Sequence, residues 1–428
     1  MADGGWTGGP PRERDVSGDA DGAGGPVAGD GPGADDTGRS ARAPGEPVNG
    51  PRVLIATDKF KGSLTAVQVA DRLTAGLRRA VPGLPVEALP VADGGEGTVA
   101  AAVAAGFERR ETEVTGPLGT RVRAAYALRG DTAVVEMAEA AGLHRLPPGV
   151  LAPLTATTYG VGELLRAALD AGARTVVFGV GGSATTDGGA GMLAALGARF
   201  LDGRGAPVGP GGAALGALAT VDLSGLDARL ADVDVVLASD VDNPLTGPTG
   251  AAAVYGPQKG AGESDVTVLD AALTHYADVM ERAAGATAVE HALAPGAGAA
   301  GGLGYGALVG LGARFRPGIE VMLDVLGFAA ALRRATVVIT GEGSLDRQTL
   351  HGKAPAGVAA AAGAAGKEVI AVCGQLALPP EELRRMGIHR EYALTDVEPD
   401  PARCMAQAGP LLETLAERIA RDLAGPGA

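Results

Sequence analysis

Apolar positions after residue 50 fall into two alternating kinds of segment. Short continuous apolar runs such as 53–57 are typical of buried strands, whereas in 65–79 apolar residues recur every three or four positions, as on a helix. The other predicted strands are 86–91, 122–128, 133–137, 175–180, 233–239, 336–340, 368–373 and 392–394. The other predicted helices are 96–105, 159–170, 188–197, 265–283, 320–333, 354–364 and 408–423.

This alternation predicts an α/β fold with a parallel sheet and right-handed crossovers. The stretch 108–137 differs, because turns containing glycine separate three short strands, and we expect it to be antiparallel or mixed. Residues 1–50 are rich in Gly, Ala, Pro and Asp and nearly lack large apolar side chains. We therefore predict that they form a disordered tail.

Charge and composition narrow the classes of function. The 428 residues include 50 Asp and Glu against 36 Lys and Arg, which argues against a surface for nucleic acid or anionic membrane. Two cysteines, Cys373 and Cys404, are too few for a disulfide framework and match no zinc spacing. With no recognisable signal peptide or membrane span, we expect a cytoplasmic protein.

Polar and glycine-rich segments follow the predicted strands. They are 57–63 with Asp58 and Lys61, 91–98 with Asp93 and Glu96, 179–189 with Gly181, Gly182, Ser183, Thr185 and Asp187, 239–245 with Asp240, and 340–353 with Glu342 and Lys353. A further segment, 296–304, contains Gly301 and Gly302 and offers backbone groups only. Because the carboxyl ends of parallel strands lie on one side of a sheet, we expect the strand-end segments to meet in one crevice.

Each segment also has an ordinary structural interpretation. Asp93 and Glu96 could cap the start of a helix. In segment 239–245, the tripeptide Asp-Asn-Pro at 242–244 is a common way to begin an ordinary turn. The run 179–184 with Asp202 matches a dinucleotide-binding fingerprint, which leaves an NAD(P)-dependent oxidoreductase as an alternative function. A non-catalytic metabolite-binding protein is a second alternative.

Taken together, the residue types in these segments favour phosphoryl transfer. They comprise glycine loops, lysines and carboxylates, with neither a catalytic Cys/His pair nor a G-x-S-x-G elbow. Phosphoryl transfer needs positioning and charge neutralisation more than covalent chemistry, and this inventory supplies both. The sequence has no G-x-x-x-x-G-K-[ST] motif, so a Walker A loop is excluded as the phosphate grip.

The same segments, in this order, closely resemble the motifs of the bacterial glycerate kinase family, first type. The motifs are DKFKGS at 58–63, ADGGEGT at 92–98, GGSATTDGG at 181–189, SDVDNPL at 239–245, and TGEGS at 340–344 with GK at 352–353. The likeness runs from about Arg52 to the C-terminus. It implies a kinase that uses ATP and Mg²⁺ to phosphorylate the small molecule D-glycerate, with 2-phosphoglycerate favoured over 3-phosphoglycerate as the product.

The resemblance also implies two α/β domains. A flavodoxin-like domain, placed at 51–115 plus 290–428, would be interrupted by a second α/β domain of different topology at 116–289. The active site would then lie between the two domains, where the Lys61 and Lys353 loops could share one crevice.

Roles for individual residues follow as hypotheses. Lys61, with Lys59 beside it, would bind the glycerate carboxylate or a nucleotide phosphate. Asp187 is the preferred general base or hydroxyl-orienting residue, because its flanking glycines should leave it exposed at a strand end. Asp58 would act in catalysis or cap the following helix. The candidate Mg²⁺ ligands are Asp93, Glu96 and Asp240. The candidate ATP-binding residues are Gly181, Gly182, Ser183, Thr185, Gly301, Gly302, Glu342 and Lys353.

Overall fold

A computed structural model describes residues 50–350 and 352–425 of the chain, so the predicted tail lies outside the described residues except for Gly50. The strands are β1 (Val53–Thr57), β2 (Val86–Ala88), β3 (Glu108–Thr115), β4 (Arg121–Arg129), β5 (Thr132–Glu136), β6 (Thr175–Gly179), β7 (Arg199–Asp202), β8 (Leu218–Asp222), β9 (Asp234–Ala238), β10 (Arg314–Arg316), β11 (Val337–Leu345), β12 (Glu368–Leu376) and β13 (Arg390–Ala393). The α-helices are α1 (Ala66–Ala80), α2 (Thr98–Ala104), α3 (Met137–Ala141), α4 (Tyr159–Asp170), α5 (Ala190–Ala195), α6 (Ala251–Tyr255), α7 (Glu263–Ala284), α8 (Thr287–Leu293), α9 (Ala299–Leu311), α10 (Gly318–Leu326), α11 (Phe328–Arg334), α12 (Ala354–Ala364), α13 (Pro380–Arg385), α14 (Pro401–Ala406) and α15 (Ala408–Ala424).

The first sheet contains five parallel strands in the order β13-β12-β11-β1-β2. Counted along the chain within this sheet, the order is 5-4-3-1-2, which is the flavodoxin-like arrangement. The direction of strand order reverses between β1 and β11, and ligands of such sheets bind at that point, outside the carboxyl ends of the strands. The expected flavodoxin-like sheet is confirmed.

The second sheet contains six strands in the order β10-β9-β6-β5-β4-β3. The pairs β3–β4 and β4–β5 are antiparallel and the remaining pairs are parallel, as expected for the stretch 108–137. The division at 116–289 stays a prediction, but β3 and β10 belong to this sheet although they lie outside those bounds. We therefore propose an insertion of about 108–316.

Three apolar cores follow from the alternation of side chains along the strands. In β1, Val53 and Ile55 face one side of the first sheet, where they pack in a core with α1 and α15. Leu54 and Ala56 face the opposite side, in a core that also holds apolar residues of α2, α10, α11, α12 and the second sheet. The other face of the second sheet packs in a third core with α4, α5, α7 and α9. A single layer of helices thus joins the two sheets.

The differences from the predicted elements are mostly local. The predicted helix 320–333 is two helices, α10 and α11, because Gly327 between them has a φ of 73°. The elements β7, β8, β10, α3, α6, α8, α13 and α14 escaped prediction, since segments of three to seven residues show too little periodicity to recognise. The thirteen-residue helix α9 escaped prediction as well, because it is rich in glycine and its backbone is not helical at Ala300, Gly301 and Gly302. None of the helices in the described ranges has the length and apolar character that a membrane crossing needs.

A glycine-rich loop after β2 connects the first sheet to the strand ends of the second. This loop, 93–97, runs across the carboxyl ends of β6 and β9, and the amide of Gly181 donates to the carbonyl of Gly94 at 3.4 Å. A side chain at Gly94 would overlap the carbonyl oxygen of Ala238, and its φ of +87° is in the left-handed region. Only glycine allows so close a contact in that conformation.

Replacing Gly94 by alanine should therefore lower the free energy of unfolding for two reasons. Alanine is strained at this positive φ, and its Cβ atom would also overlap the carbonyl oxygen of Ala238. Gly106, with φ +91° and open space around it, is the matched control, because alanine there adds only the conformational cost of about 1–2 kcal/mol. Urea denaturation should place the Gly94→Ala variant clearly below the Gly106→Ala variant in unfolding free energy. Equal losses in the two variants would contradict the close-contact account.

Candidate active site

A cleft of about 600 Å³ opens where β1 and β11 end, which is the point of reversal in the first sheet. We call it the reaction cleft. Its charged lining residues are Asp58, Lys59, Lys61, Asp93, Glu96, Asp346, Glu342 and Lys353. The expectation that the Lys61 and Lys353 loops share one crevice is confirmed.

Asp58 is the most buried carboxylate of this lining, with only 6% of its surface exposed. Its Oδ1 atom accepts the amide of Lys59 at 2.6 Å and lies 3.6 Å from the Nζ of the same lysine. Burial raises the pKa of Asp58 to about 7; Lys59 opposes this shift, while the negative charges of Asp93 and Glu342 add to it. At neutral pH, Asp58 can therefore both hold and release a proton.

The alternative role of Asp58 as a helix cap is wrong. Helix α1 begins after Thr65, whose hydroxyl accepts the amide of Gln68 while the Gln68 side chain accepts the amide of Thr65. This reciprocal pair is a capping box, and it satisfies the helix start without Asp58. Asp58 is thus free for a role in the cleft.

Two of the three lysines that line the cleft lie next to its carboxylates. Burial opposes protonation of Lys59, but Asp58, Asp93 and other acidic neighbours raise its pKa overall, so it is a permanent cation. Across the cleft, the Nζ of Lys353 lies 3.6 Å from Glu342, whose other oxygen accepts the Thr349 hydroxyl at 2.7 Å. Anionic ligands therefore meet fixed positive charge on both walls.

Asp93 joins the reaction cleft to a second cavity of about 410 Å³, which we call the glycine channel. Gly94, Gly95 and Gly181 line this channel, as do Asp240 and Lys353. The amide of Gly95 donates to Asp93 at 3.1 Å, and the amide of Gly318 donates to Asp240 at 2.9 Å. In each of the two carboxylates, the second oxygen atom takes no part in these two hydrogen bonds.

The cap interpretation of Asp93 and Glu96 is also wrong. The N-cap of α2 is Gly97, and the free amides of Gly97 and Val99 donate to the carboxylate of Glu136 at 3.1–3.2 Å. Glu136 ends β5 of the second sheet, and burial raises its pKa to about 7. The sequence offers only one sign of this role of Glu136, which is that a single carboxylate ends an otherwise apolar strand. Glu136 holds the 93–97 loop from the second sheet.

The expected exposure of Asp187 is wrong. Its side chain is 1% exposed and accepts the amide and hydroxyl of Thr158 at 2.8 and 2.9 Å, with the amide of Gly189 at 3.2 Å. Burial raises its pKa while these hydrogen bonds lower it. The flanking glycines allow the loop to fold tightly over the carboxylate, which is why they do not expose it.

The segment 181–189 divides between the cleft and the interior. Gly182 lines the reaction cleft and Gly181 the glycine channel, whereas Ser183 and Thr185 are buried. Gly301 and Gly302 are buried too, since they pack against the backbone of 185–188. These four residues hold the loop in place rather than lining the two cavities.

Lys259 supports the same loop from inside the protein. It is 1% exposed, and its Nζ donates to the carbonyl of Thr185 at 2.5 Å. Burial lowers its pKa to about 7. The structure directs the charge of Lys259 at a backbone carbonyl inside the protein.

Comparison with known proteins agrees with this geometry. The sequence model of the glycerate kinase family matches residues 53–424. The chain belongs to the glycerate kinase family. It is 48% identical to a glycerate kinase of Bacillus subtilis (strain 168) over 376 residues, covering 87% of this chain and 97% of that protein. It is 46% identical to the glycerate 2-kinase of Escherichia coli (strain K12), covering 76% of this chain and 85% of that protein.

A solved structure resembles the whole described fold. The crystal structure of a protein assigned as glycerate kinase 2 from Salmonella typhimurium LT2 has a TM-score of 0.75 and 43% sequence identity, and the match covers 88% of this chain and 99% of that one. The two-sheet α/β architecture described above is thus shared within the glycerate kinase family.

The geometry of residues 179–206 does not match the dinucleotide alternative. In that fingerprint a helix follows the glycines directly, but α5 begins at Ala190, six residues after Ala184. Asp202, the candidate ribose ligand, is half-buried and accepts the amides of Arg204 and Ala206 within its own turn. In this member of the glycerate kinase family the glycines serve the loop over Asp187.

The raised pKa of Asp58 predicts a pH-dependent stability. Its pKa is about 7 in the folded chain against an ordinary 3.8, so between these values unfolding releases a proton and stability falls as pH rises. Asparagine does not titrate, so the stability of Asp58→Asn relative to the wild type should rise by roughly 2–3 kcal/mol between pH 5 and pH 8. Thermal denaturation at several pH values measures the difference.

The exposed carboxylate Asp71 on α1 gives the control for that experiment. Asp71→Asn removes one negative charge without touching the cleft, and its difference from the wild type should change little over the same pH range. If the stability difference of Asp58→Asn were equally flat with pH, a raised pKa for Asp58 would be ruled out.

Proposed function

We propose that this chain transfers the γ-phosphoryl group of ATP to D-glycerate and forms 2-phosphoglycerate. The observation that carries the proposal is Asp58, a buried carboxylate with a pKa near 7, placed between lysines at the reversal point of a flavodoxin-like sheet in a glycerate kinase family member. The name glycerate 2-kinase of the Escherichia coli relative supports position 2. The motif order supports the first type of the family.

Asp58 is the general base in this proposal. Its carboxylate takes the proton from the 2-hydroxyl of glycerate as that oxygen bonds to the γ-phosphorus. The bond between the γ-phosphorus and its bridging oxygen breaks, and ADP leaves with the electron pair. A base with a pKa near the working pH serves this step well, because it is ionised before the reaction and still accepts a proton during it.

The lysines place the two anions. Lys61 lies on the exposed edge of the reaction cleft, where it is suited to the carboxylate of glycerate, with Lys59 deeper beside Asp58. Lys353 borders both the reaction cleft and the glycine channel, so it suits the phosphates of ATP. Glu342 orients Lys353 through their ion pair. Gly181 and Gly182 let the chain approach the phosphates closely.

Asp93 and Asp240 fit a magnesium ion that arrives with the nucleotide. Within 50–350 and 352–425 no three acidic, His or Cys side chains form a ready metal cluster, but Mg²⁺ in kinases needs only one or two carboxylates besides the phosphates and water. The ion would neutralise charge on the transferred phosphoryl group. Glu96 is exposed at the rim of the reaction cleft, which makes it the weaker candidate.

Asp187 acts as a positioning residue in this proposal. Its carboxylate already accepts several hydrogen bonds inside the loop, and it lines neither the reaction cleft nor the glycine channel. Ser183, Thr185, Gly301 and Gly302 support the same loop, so their expected contacts with ATP become indirect. The free, buried cysteines fit the cytoplasm, where ATP is available.

The decisive experiment measures ADP release by the purified chain with ATP and D-glycerate. Release should require D-glycerate, stop with EDTA and return with excess Mg²⁺, and NMR of the product should show phosphate on the 2-hydroxyl. L-Glycerate and a reaction without acceptor are the controls. ADP release that is absent, or equally fast without glycerate, would refute the kinase proposal.

Two carboxylate variants test the choice of base. Asp58→Asn should lose turnover by about 10²–10⁴-fold, since its amide cannot accept the proton. Asp187→Asn should keep measurable turnover but unfold more easily, because its hydrogen bonds hold the loop. In the wild type and in Asp187→Asn, kcat/KM for glycerate should rise with pH and level off above about pH 7. Near-normal turnover in Asp58→Asn would move the base elsewhere.

A further inference from the structure

A third cavity continues the line formed by the reaction cleft and the glycine channel. We call it the side groove; it has a volume of about 1040 Å³ and lies between α10 and α12. Ser239, Asp240 and Val241 line both the side groove and the glycine channel, just as Asp93, Gly95 and Lys353 line both the channel and the reaction cleft. The three cavities are therefore consecutive parts of one depression.

The chemistry of the wall changes along this depression. The reaction cleft has carboxylates and lysines, and the glycine channel has glycine backbone with Lys353. In the side groove, one wall is the smooth surface of α12 formed by Ala356, Gly357, Ala360 and Ala361, and α10 supplies Ile319 and Leu323 opposite. Asp240, which also lines the glycine channel, and Glu320 add carboxylates to the side groove.

This sequence of surfaces matches the parts of a nucleoside triphosphate. A phosphate chain suits glycine backbone and lysine, ribose hydroxyls suit carboxylate oxygens, and a flat base suits an apolar wall without protruding side chains. Ligand sites are typically clefts of about 300–1,000 Å³ with mostly apolar walls and a few polar groups, and the side groove fits that description.

We propose that the side groove binds the adenosine of ATP, with the base on the α12 surface and the ribose facing Glu320. The inference rests on the kinase function proposed above and deepens it. The triphosphate then crosses the glycine channel, and its γ-phosphoryl group enters the reaction cleft beside Asp58. Glycerate then binds on the Lys61 side of that cleft, where no part of the nucleotide lies.

The competing place for the base is the far end of the reaction cleft. Leu394, Pro401 and Met405 form an apolar surface there. However, the 600 Å³ of the reaction cleft must already hold glycerate and the transferred phosphoryl group. The side groove is larger and has no other assigned ligand, which favours it for the nucleoside.

The test fills the side groove and measures nucleotide binding. Ala360 is an exposed groove residue, and Ala360→Trp should weaken ADP binding at least tenfold in calorimetry and raise KM for ATP without raising KM for glycerate. Ala364→Trp is the matched control, because this exposed residue ends the same helix outside the groove. Inorganic tripolyphosphate should bind Ala360→Trp as it binds the wild type, which shows that the variant is folded.

Two results would overturn the assignment. If Ala360→Trp binds ADP as tightly as Ala364→Trp does, the base does not lie in the side groove. If Met405→Trp alone weakens ADP binding, the base lies at the far end of the reaction cleft. A wild-type chain that neither binds ADP nor turns over ATP would refute the kinase function as well, whereas ADP binding insensitive to Ala360→Trp refutes the groove alone.

Discussion

The contact between the 93–97 loop and the second sheet is the constraint on which the site depends. Gly94 lies against the carbonyl of Ala238, and Gly181 donates to Gly94 in return. A side chain at Gly94 would separate these backbones, and with them the carboxyl ends of the two sheets. Because Asp93 sits at the start of this loop, the same contact sets the distance between the reaction cleft and the glycine channel.

The apolar layer between the sheets keeps that arrangement rigid. Helices α2, α10, α11 and α12 bury side chains against both sheets in one continuous core. The two sheets therefore cannot turn relative to each other without opening apolar surface, which costs roughly 25 cal/mol for each Å² exposed. Glu136, the last residue of β5 in the second sheet, also connects the two parts, because its carboxylate accepts backbone amides at the start of α2.

Burial gives the carboxylates of this region two different uses. Asp58 is desolvated beside Lys59 but keeps access to the reaction cleft, so its proton is exchangeable near neutral pH. Asp187 is equally buried, but Thr158 and Gly189 saturate it with hydrogen bonds. The difference lies in what surrounds each carboxylate, since both follow an apolar strand in a glycine-containing segment.

Sequence patterns alone determined the α/β class, most of the long strands and helices, and the strand-end segments that carry the chemistry. These features are local: periodicity of 2 or 3.6 and turn residues are readable within about ten positions. Which segments face the cleft depended on the tertiary structure. Asp58 and Lys353 are far apart in the chain yet line one cavity, while Asp187 and Lys259 are turned inward by contacts with distant loops. Burial and charge proximity arise only when separate segments pack together, so no local pattern could decide which aspartate is accessible.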